Sequence, residues 1–125
     1  MATIYNITIV QGETYISTFP VVDAAGIAID PTGFTAELDA RRSAASSGVP
    51  EITLTTASGN GLTFDLVNNA LIMRVDPADT TSLAFSGDEL ELAYDLEITD
   101  PADTPARVYK PIRGIMKIIR EVTKV

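Results

Sequence analysis

The chain has 125 residues, the size of one domain spanning residues 1–125, and its 9 basic and 17 acidic side chains give a formal charge of −8. It has no cysteine and no histidine, which rules out a disulfide framework, a thiolate nucleophile, a thiolate metal site and the usual neutral-pH general base. So acidic a surface repels phosphate backbones and anionic lipid, and the expectation is of no nucleic-acid and no membrane partner.

The dominant hydrophobic period is two, that of half-buried strands. Ile4 to Val10 reads as a first strand, and Gln11-Gly12 turns the chain into a second across Thr14 to Val22. Ala24-Ala25-Gly26 and Pro31-Thr32-Gly33 are turn signals. From Gly33 to Arg42, Phe34, Ala36, Leu38 and Ala40 alternate with Thr35, Glu37, Asp39 and Arg41, which predicts a strand with one face in the core. Arg41 to Pro50 is rich in Ser, Ala and Gly and reads as a mobile loop. Ile52 to Thr55 and Leu62 to Leu66 flank Ser58-Gly59-Asn60-Gly61, a candidate hairpin turn, and Asn68-Asn69 is another, leading into Leu71, Met73 and Val75.

Asp76-Pro77-Ala78-Asp79 has the marks of a helix start: an Asp N-cap, Pro at the first helical position and an acid in the first turn. One short helix is expected near residues 77–85, stopped by Gly87. The pentapeptide Asp-Pro-Ala-Asp-Thr recurs at Asp100–Thr104, where it reads as a hairpin tip. Between the two, Leu90, Leu92, Tyr94, Leu96 and Ile98 share one strand face and Glu89, Glu91, Asp95 and Glu97 the other. A helix would wind those glutamates into the core.

Six of the nine basic residues lie in the last segment, at Arg107, Lys110, Arg113, Lys117, Arg120 and Lys124. Their spacing suits a helix with Ile115, Ile118, Ile119 and Val122 on its apolar face, but Pro111 and Gly114 interrupt it. The favoured reading of 107–124 is a strand, bulged or at an edge at Pro111, whose cations face the acids of the preceding strand in cross-strand pairs of roughly 0.2–1 kcal/mol each. Seven to nine short strands with regular turns predict an all-β fold, an immunoglobulin-like antiparallel β-sandwich with that one helix; a closed barrel is the alternative.

Seven acids crowd Asp88 to Asp103. A hydrolytic carboxylate pair needs facing walls of a cleft and split pKa values, whereas these acids alternate along one strand and sit in turns. Calcium is poorly served too, since the EF-hand spacing is missing, and Asp76, Asp79, Asp100 and Asp103 have capping or turn roles to fill. No Gly-rich phosphate loop or nucleophile elbow is present. The expectation is a non-enzyme with no cofactor, metal or small-molecule substrate, working by binding other proteins. The candidate contact residues are Arg41, Arg42, Ser46, Ser47 and Val49 around the loop, and Ile4 and Tyr5 of the N-terminal strand. No apolar run approaches the roughly 18 residues of a span and the N-terminus lacks a signal-peptide pattern, which predicts a soluble protein made in a cytoplasm.

Beyond pattern, Tyr94-Asp95-Leu96-Glu97-Ile98-Thr99-Asp100, then Arg107-Val108-Tyr109, then Gly114-Ile115-Met116-Lys117-Ile118 and Glu121-Val122-Thr123 form an ordered series. It resembles the C-terminal half of a group of small virion proteins of tailed bacteriophages. Gln11-Gly12-Glu13-Thr14 and Pro31-Thr32-Gly33-Phe34-Thr35-Ala36 resemble their N-terminal half, so that about half of the chain is covered. Lys110-Pro111-Ile112-Arg113 departs from the pattern, which more often has aliphatic residues before the glycine. The resemblance implies a virion structural protein, assembled in the host bacterial cytoplasm in multiple copies and contacting other virion proteins. Within that class a tail or baseplate adaptor leads and a capsid cement protein follows. A host-surface carbohydrate-binding module is the outside alternative, and it lacks aromatic platforms, since the chain has four Tyr, four Phe and no Trp.

Overall fold

The computed structural model describes residues 3–23, 25–42, 49–57, 59–102 and 104–120. The strands are β1 (Thr3–Ile4), β2 (Ile7–Val10), β3 (Tyr15–Pro20), β4 (Thr35–Arg41), β5 (Ile52–Thr55), β6 (Leu62–Asp65), β7 (Ala70–Val75), β8 (Glu89–Asp100) and β9 (Arg107–Ile119), with one helix, α1 (Pro77–Thr81). They form an all-β sandwich. One sheet has the order β1/β2-β9-β8-β4-β5, the other β3-β7-β6. In immunoglobulin lettering these are A′-G-F-C-C′ and B-E-D, so the predicted topology is present.

Period two decides which side chains enter the core. Ala36, Leu38 and Ala40 of β4 are buried, as are Leu90, Leu92, Tyr94, Leu96 and Ile98 of β8. Leu54, Leu38 and Leu96 sit opposite one another across three strands. Leu71, Met73 and Val75 of β7 close the core from the other sheet. The last segment is a strand, not a helix, over Arg107–Ile119, and 121–124 lie outside the described residues. Beside Pro111 the β8–β9 register slips between Leu96 and Ile98, which is the predicted bulge.

Three expectations change. The sandwich is not wholly antiparallel, because β1 and β2 run parallel to β9. After Gln11-Gly12 the chain crosses to the other sheet instead of folding back, so the first strand must find its partner elsewhere. Its span breaks at Tyr5-Asn6 into two short pieces. Nor is the Ser58–Gly61 segment a hairpin turn: β5 pairs with β4 and β6 with β7, and this link changes sheets. Gly61 there has φ +100° and lies so close to the Arg74 carbonyl that a Cβ would stand 2.8 Å from it. Asn69, by contrast, takes the positive φ of 50° expected of its turn.

The helix starts where predicted, with the Asp79 carboxylate accepting from the Asp76 N–H at 2.9 Å. It is one turn long, because after Thr81 the chain swings Leu83 and Phe85 against the core. Thr80, fully buried, fastens it: its hydroxyl accepts from the Gly12 N–H at 2.9 Å and donates to the Pro77 carbonyl at 3.3 Å. Gln11 donates to the Thr80 carbonyl at 3.0 Å. Thr80→Val keeps the shape and leaves Gly12 without its acceptor. Urea unfolding is expected to show a loss of about 1–2 kcal/mol at unchanged m.

Candidate interaction surfaces

The predicted contact residues fall on opposite edges of the larger sheet. At one edge, Ile4 is paired beside Arg113 and well exposed. Tyr5 is tied down: its ring meets Phe19 edge-on at 5.4 Å, its N–H donates to the Arg113 carbonyl at 2.8 Å, and its carbonyl accepts from the Tyr94 hydroxyl. Beside it, Asn6 Oδ1 accepts from the Ile115 N–H at 3.0 Å. The N-terminal strand is therefore anchored, with Ile4 its free apolar side chain.

Across the sheet, Arg41 lies 3.6 Å from Asp39, and Arg42 lies 3.4 Å from Glu51 and donates to the Ala84 carbonyl. Arg42 thus ties the end of β4 to the segment after α1. Val49 is 88% exposed. Ser46 and Ser47 lie outside the described residues, as does the rest of 43–48, so the structure joins these positions into no single site.

The outer face of the larger sheet carries the alternating acids. Glu91 stands opposite Lys117 and Asp95 opposite Arg113, as the hairpin reading required. Lys117 makes its ion pair diagonally, 3.7 Å from Glu89. On the other side of β8 like charges meet, with Glu97 opposite Glu37 and Asp95 opposite Asp39. Asp39 above all, with help from burial and from Glu97, holds the Glu37 carboxyl above its ordinary pKa. Ala93 leaves a shallow depression of about 280 Å³ between Asp39, Arg41, Asp95 and Arg113. Among the described residues no group of three or more carboxylates is arranged to hold a metal ion. Nor is any described helix long and apolar enough to cross a membrane.

Much of the basic stripe is engaged internally. Arg107 faces Asp100 and lies 6.0 Å from the Tyr109 ring centroid. Arg120 donates to the Gly87 and Phe85 carbonyls and stacks 4.6 Å over the Phe85 ring. Most aromatic rings also pack inward: Tyr94 is buried and Phe34 packs on Phe64 and Tyr109, all three half-buried, while Tyr5 is the exposed one.

Burial, and behind it the nearby Tyr15 and Tyr5, raises the Tyr94 hydroxyl well above the ordinary phenol range. Burial raises Tyr15 as well. Raised acids of this kind keep their protons in the folded state while the unfolded chain ionises. Their contribution is complete below the unfolded tyrosine pKa of about 10 and is lost as pH rises past it. Tyr94→Phe is expected to lower neutral-pH stability by about 1 kcal/mol and to make the alkaline decline shallower. Denaturant midpoints taken between neutral and strongly alkaline pH measure both.

Sequence reasoning missed the end of the sandwich where β3, β6 and β8 finish and β4, β7 and β9 begin. The two sheets meet there through Phe34, which packs on Phe64 of β6 and Tyr109 of β9, while Val21 extends the β3–β7 ladder by donating to the Asn69 carbonyl at 2.9 Å. Five of the exposed large hydrophobics belong to this end: Val22 and Ile27 after β3, Leu66 and Val67 in the β6–β7 turn, and Val108 at the start of β9. Single apolar residues in turns have no period, so pattern did not flag them; the one signal was Leu66-Val67 set between Asp65 and Asn68. No protein-family model matches the sequence, and no curated protein matches it.

Proposed function

We propose that the chain is a non-enzymatic structural subunit of a tailed-bacteriophage virion, a tail or baseplate adaptor that binds neighbouring tail or fibre proteins. The observation that carries the binding part is the uncovered aliphatic loop end on a well-packed sandwich, since a rigid scaffold presenting apolar loop tips is suited to contacting other proteins. The virion part stands on the resemblance. Three of its segments, Tyr94–Asp100, Arg107–Tyr109 and Gly114–Ile118, lie on the β8–β9 hairpin, where Tyr94 and Gly114 sit opposite each other and both border the Tyr5 carbonyl. A sequence free of histidine and cysteine supports a structural role over a catalytic one.

Copy number in purified particles, measured by quantitative mass spectrometry against the major capsid protein, tests this reading. Six to a few dozen copies is the adaptor result, by the closed symmetry of tails. Parity with the capsid protein would replace the adaptor with a cement protein. Absence from the particle would end the virion reading.

A further inference from the structure

From the loop end we infer a docking surface for one kind of partner: a protein presenting aliphatic side chains rimmed by lysine and arginine. The inference rests on reading the chain as a protein-binding subunit, but not on which assembly it joins.

The apolar part comes from two hairpins brought together at this end. The short Val22–Ala28 bridge holds up Ile27, which is 65% exposed, and the β6–β7 turn holds up Leu66 and Val67, the latter 90% exposed. The tips are stiff. Asp23 accepts from the Ala25 and Ile27 N–H groups at 2.8 and 3.0 Å, and Asp65 from those of Val67 and Asn68 at 3.1 and 3.2 Å. Such hydrogen bonds lower the ordering cost that binding must meet. At the same end an apolar cleft of about 240 Å³ runs between the sheets, from Val22 and Phe19 on one side to Ile98 and Pro111 on the other. Val22 is both exposed and part of the lining, which links the cleft to the first hairpin, and a socket next to projecting aliphatics has the form of an interface centre.

Charge selects the partner. Asp23, Asp30, Asp65 and Asp100 stand at this end; Arg107 at the start of β9 faces Asp100, so the acidic character comes from Asp23, Asp30 and Asp65. The carboxylates of Asp30 and Asp65 are held below their ordinary pKa by hydrogen bonds from Thr32 and from Asn68 and Val67, so they stay charged in mild acid. An apolar centre with an acidic rim is complemented by an apolar patch with a basic rim. It is mismatched to a second copy of the same end and to anionic lipid, and the −8 charge of the chain adds to both mismatches.

The test places a photo-crosslinking amino acid at Val67 of the full chain, and at Thr53 on the outer sheet face as a control. The chain is made in the cells that naturally produce it, and adducts are mapped by mass spectrometry in clarified extract. The expected result is one protein adduct at Val67, on a peptide combining aliphatic residues with Lys or Arg. It should fall about tenfold or more in Leu66→Asp, whose solvent-exposed turn position keeps the fold, and fall again at high salt. Circular dichroism melting confirms that the variant is folded, and Ile27→Asp gives a second, independent reading. The inference is overturned by no adduct at Val67, by adducts equal to those at Thr53, by an adduct to a second copy, lipid or nucleic acid, or by indifference to both variants. A partner foreign to any virion would leave this inference standing and sink the virion reading, which copy number tests separately.

Discussion

Replacing Gly114 by alanine is expected to destabilise the fold by about 3 kcal/mol, at the upper end of what overpacking costs. Gly114 has an ordinary negative φ, so backbone freedom is not the reason. A Cβ there would stand 2.4 Å from the Tyr5 carbonyl oxygen and 2.9 Å from Asn6 Oδ1. That carbonyl also accepts from the Tyr94 hydroxyl, and Asn6 Oδ1 accepts from the Ile115 N–H. To make room, the segment between β1 and β2 must withdraw and give up both bonds, or β9 must move away from β8. The first route leaves the buried Tyr94 hydroxyl without its partner, so the effects of Gly114→Ala and Tyr94→Phe should overlap rather than add. Equilibrium unfolding of the two single variants and the double variant reads this directly. A double variant as unstable as the sum of the singles would mean that the two residues act independently. In the same row Tyr94 and Gly114, paired across β8 and β9, receive the first strand of the chain.

Legibility from sequence followed how local the determinant was. Period two placed every core residue of β8 correctly, because alternation is enforced by the strand itself. The N-terminal turn of α1 was legible in Asp76-Pro77-Ala78-Asp79, since capping is a matter of four adjacent residues. Its early end was not, because Leu83 and Phe85 leave helical geometry to reach a core built by distant strands. The partition of strands between sheets was also hidden. Gly59-Asn60-Gly61 supplies the same freedom to a hairpin and to a crossing between sheets; the choice lies with Leu54 pairing to Leu38 and Leu62 to Met73, contacts that no local pattern encodes. Parallel pairing of β2 with β9 joins the two ends of the chain and is as nonlocal as pairing can be. The candidate contact surface suffered most. Arg42 and Tyr5 look like exposed loop and edge residues in sequence, yet both are committed to internal hydrogen bonds. The apolar loop end exists only once the β3–β4 connection, the β6–β7 turn and the start of β9 are assembled side by side.

Leu38→Ala and Asp39→Asn, one residue apart, should bracket the range of effects this sandwich can show. Leu38 is fully buried, flanked by Leu54 and Leu96 and facing the smaller sheet. Truncation removes three carbons from a site walled by strands on both sides, which leaves little scope for collapse, and the expected loss is about 3–4 kcal/mol. Asp39 lies on the other face, between Thr53 and Asp95, 3.6 Å from Arg41, with its carboxylate accepting from Thr53 at 3.2 Å. Neutralising it removes a weak ion pair but also relieves repulsion from Asp95 and Glu37, so the net change is expected to stay within about 0.5 kcal/mol of zero. With Asp39 neutral, the Glu37 carboxyl loses the main cause of its raised pKa. A carboxyl raised in the folded state penalises folding once it ionises, so the wild-type chain carries a penalty above the folded pKa of Glu37 that is relieved as pH falls through it. Asp39→Asn should therefore flatten the stability profile in mildly acidic solution while leaving the midpoint near neutrality almost unchanged. Chemical denaturation of both variants at neutral and mildly acidic pH measures all of this. A large loss for Asp39→Asn would mean that the outer face of the larger sheet holds the fold together through its charges, and a small one for Leu38→Ala would mean that the core can close around the missing side chain.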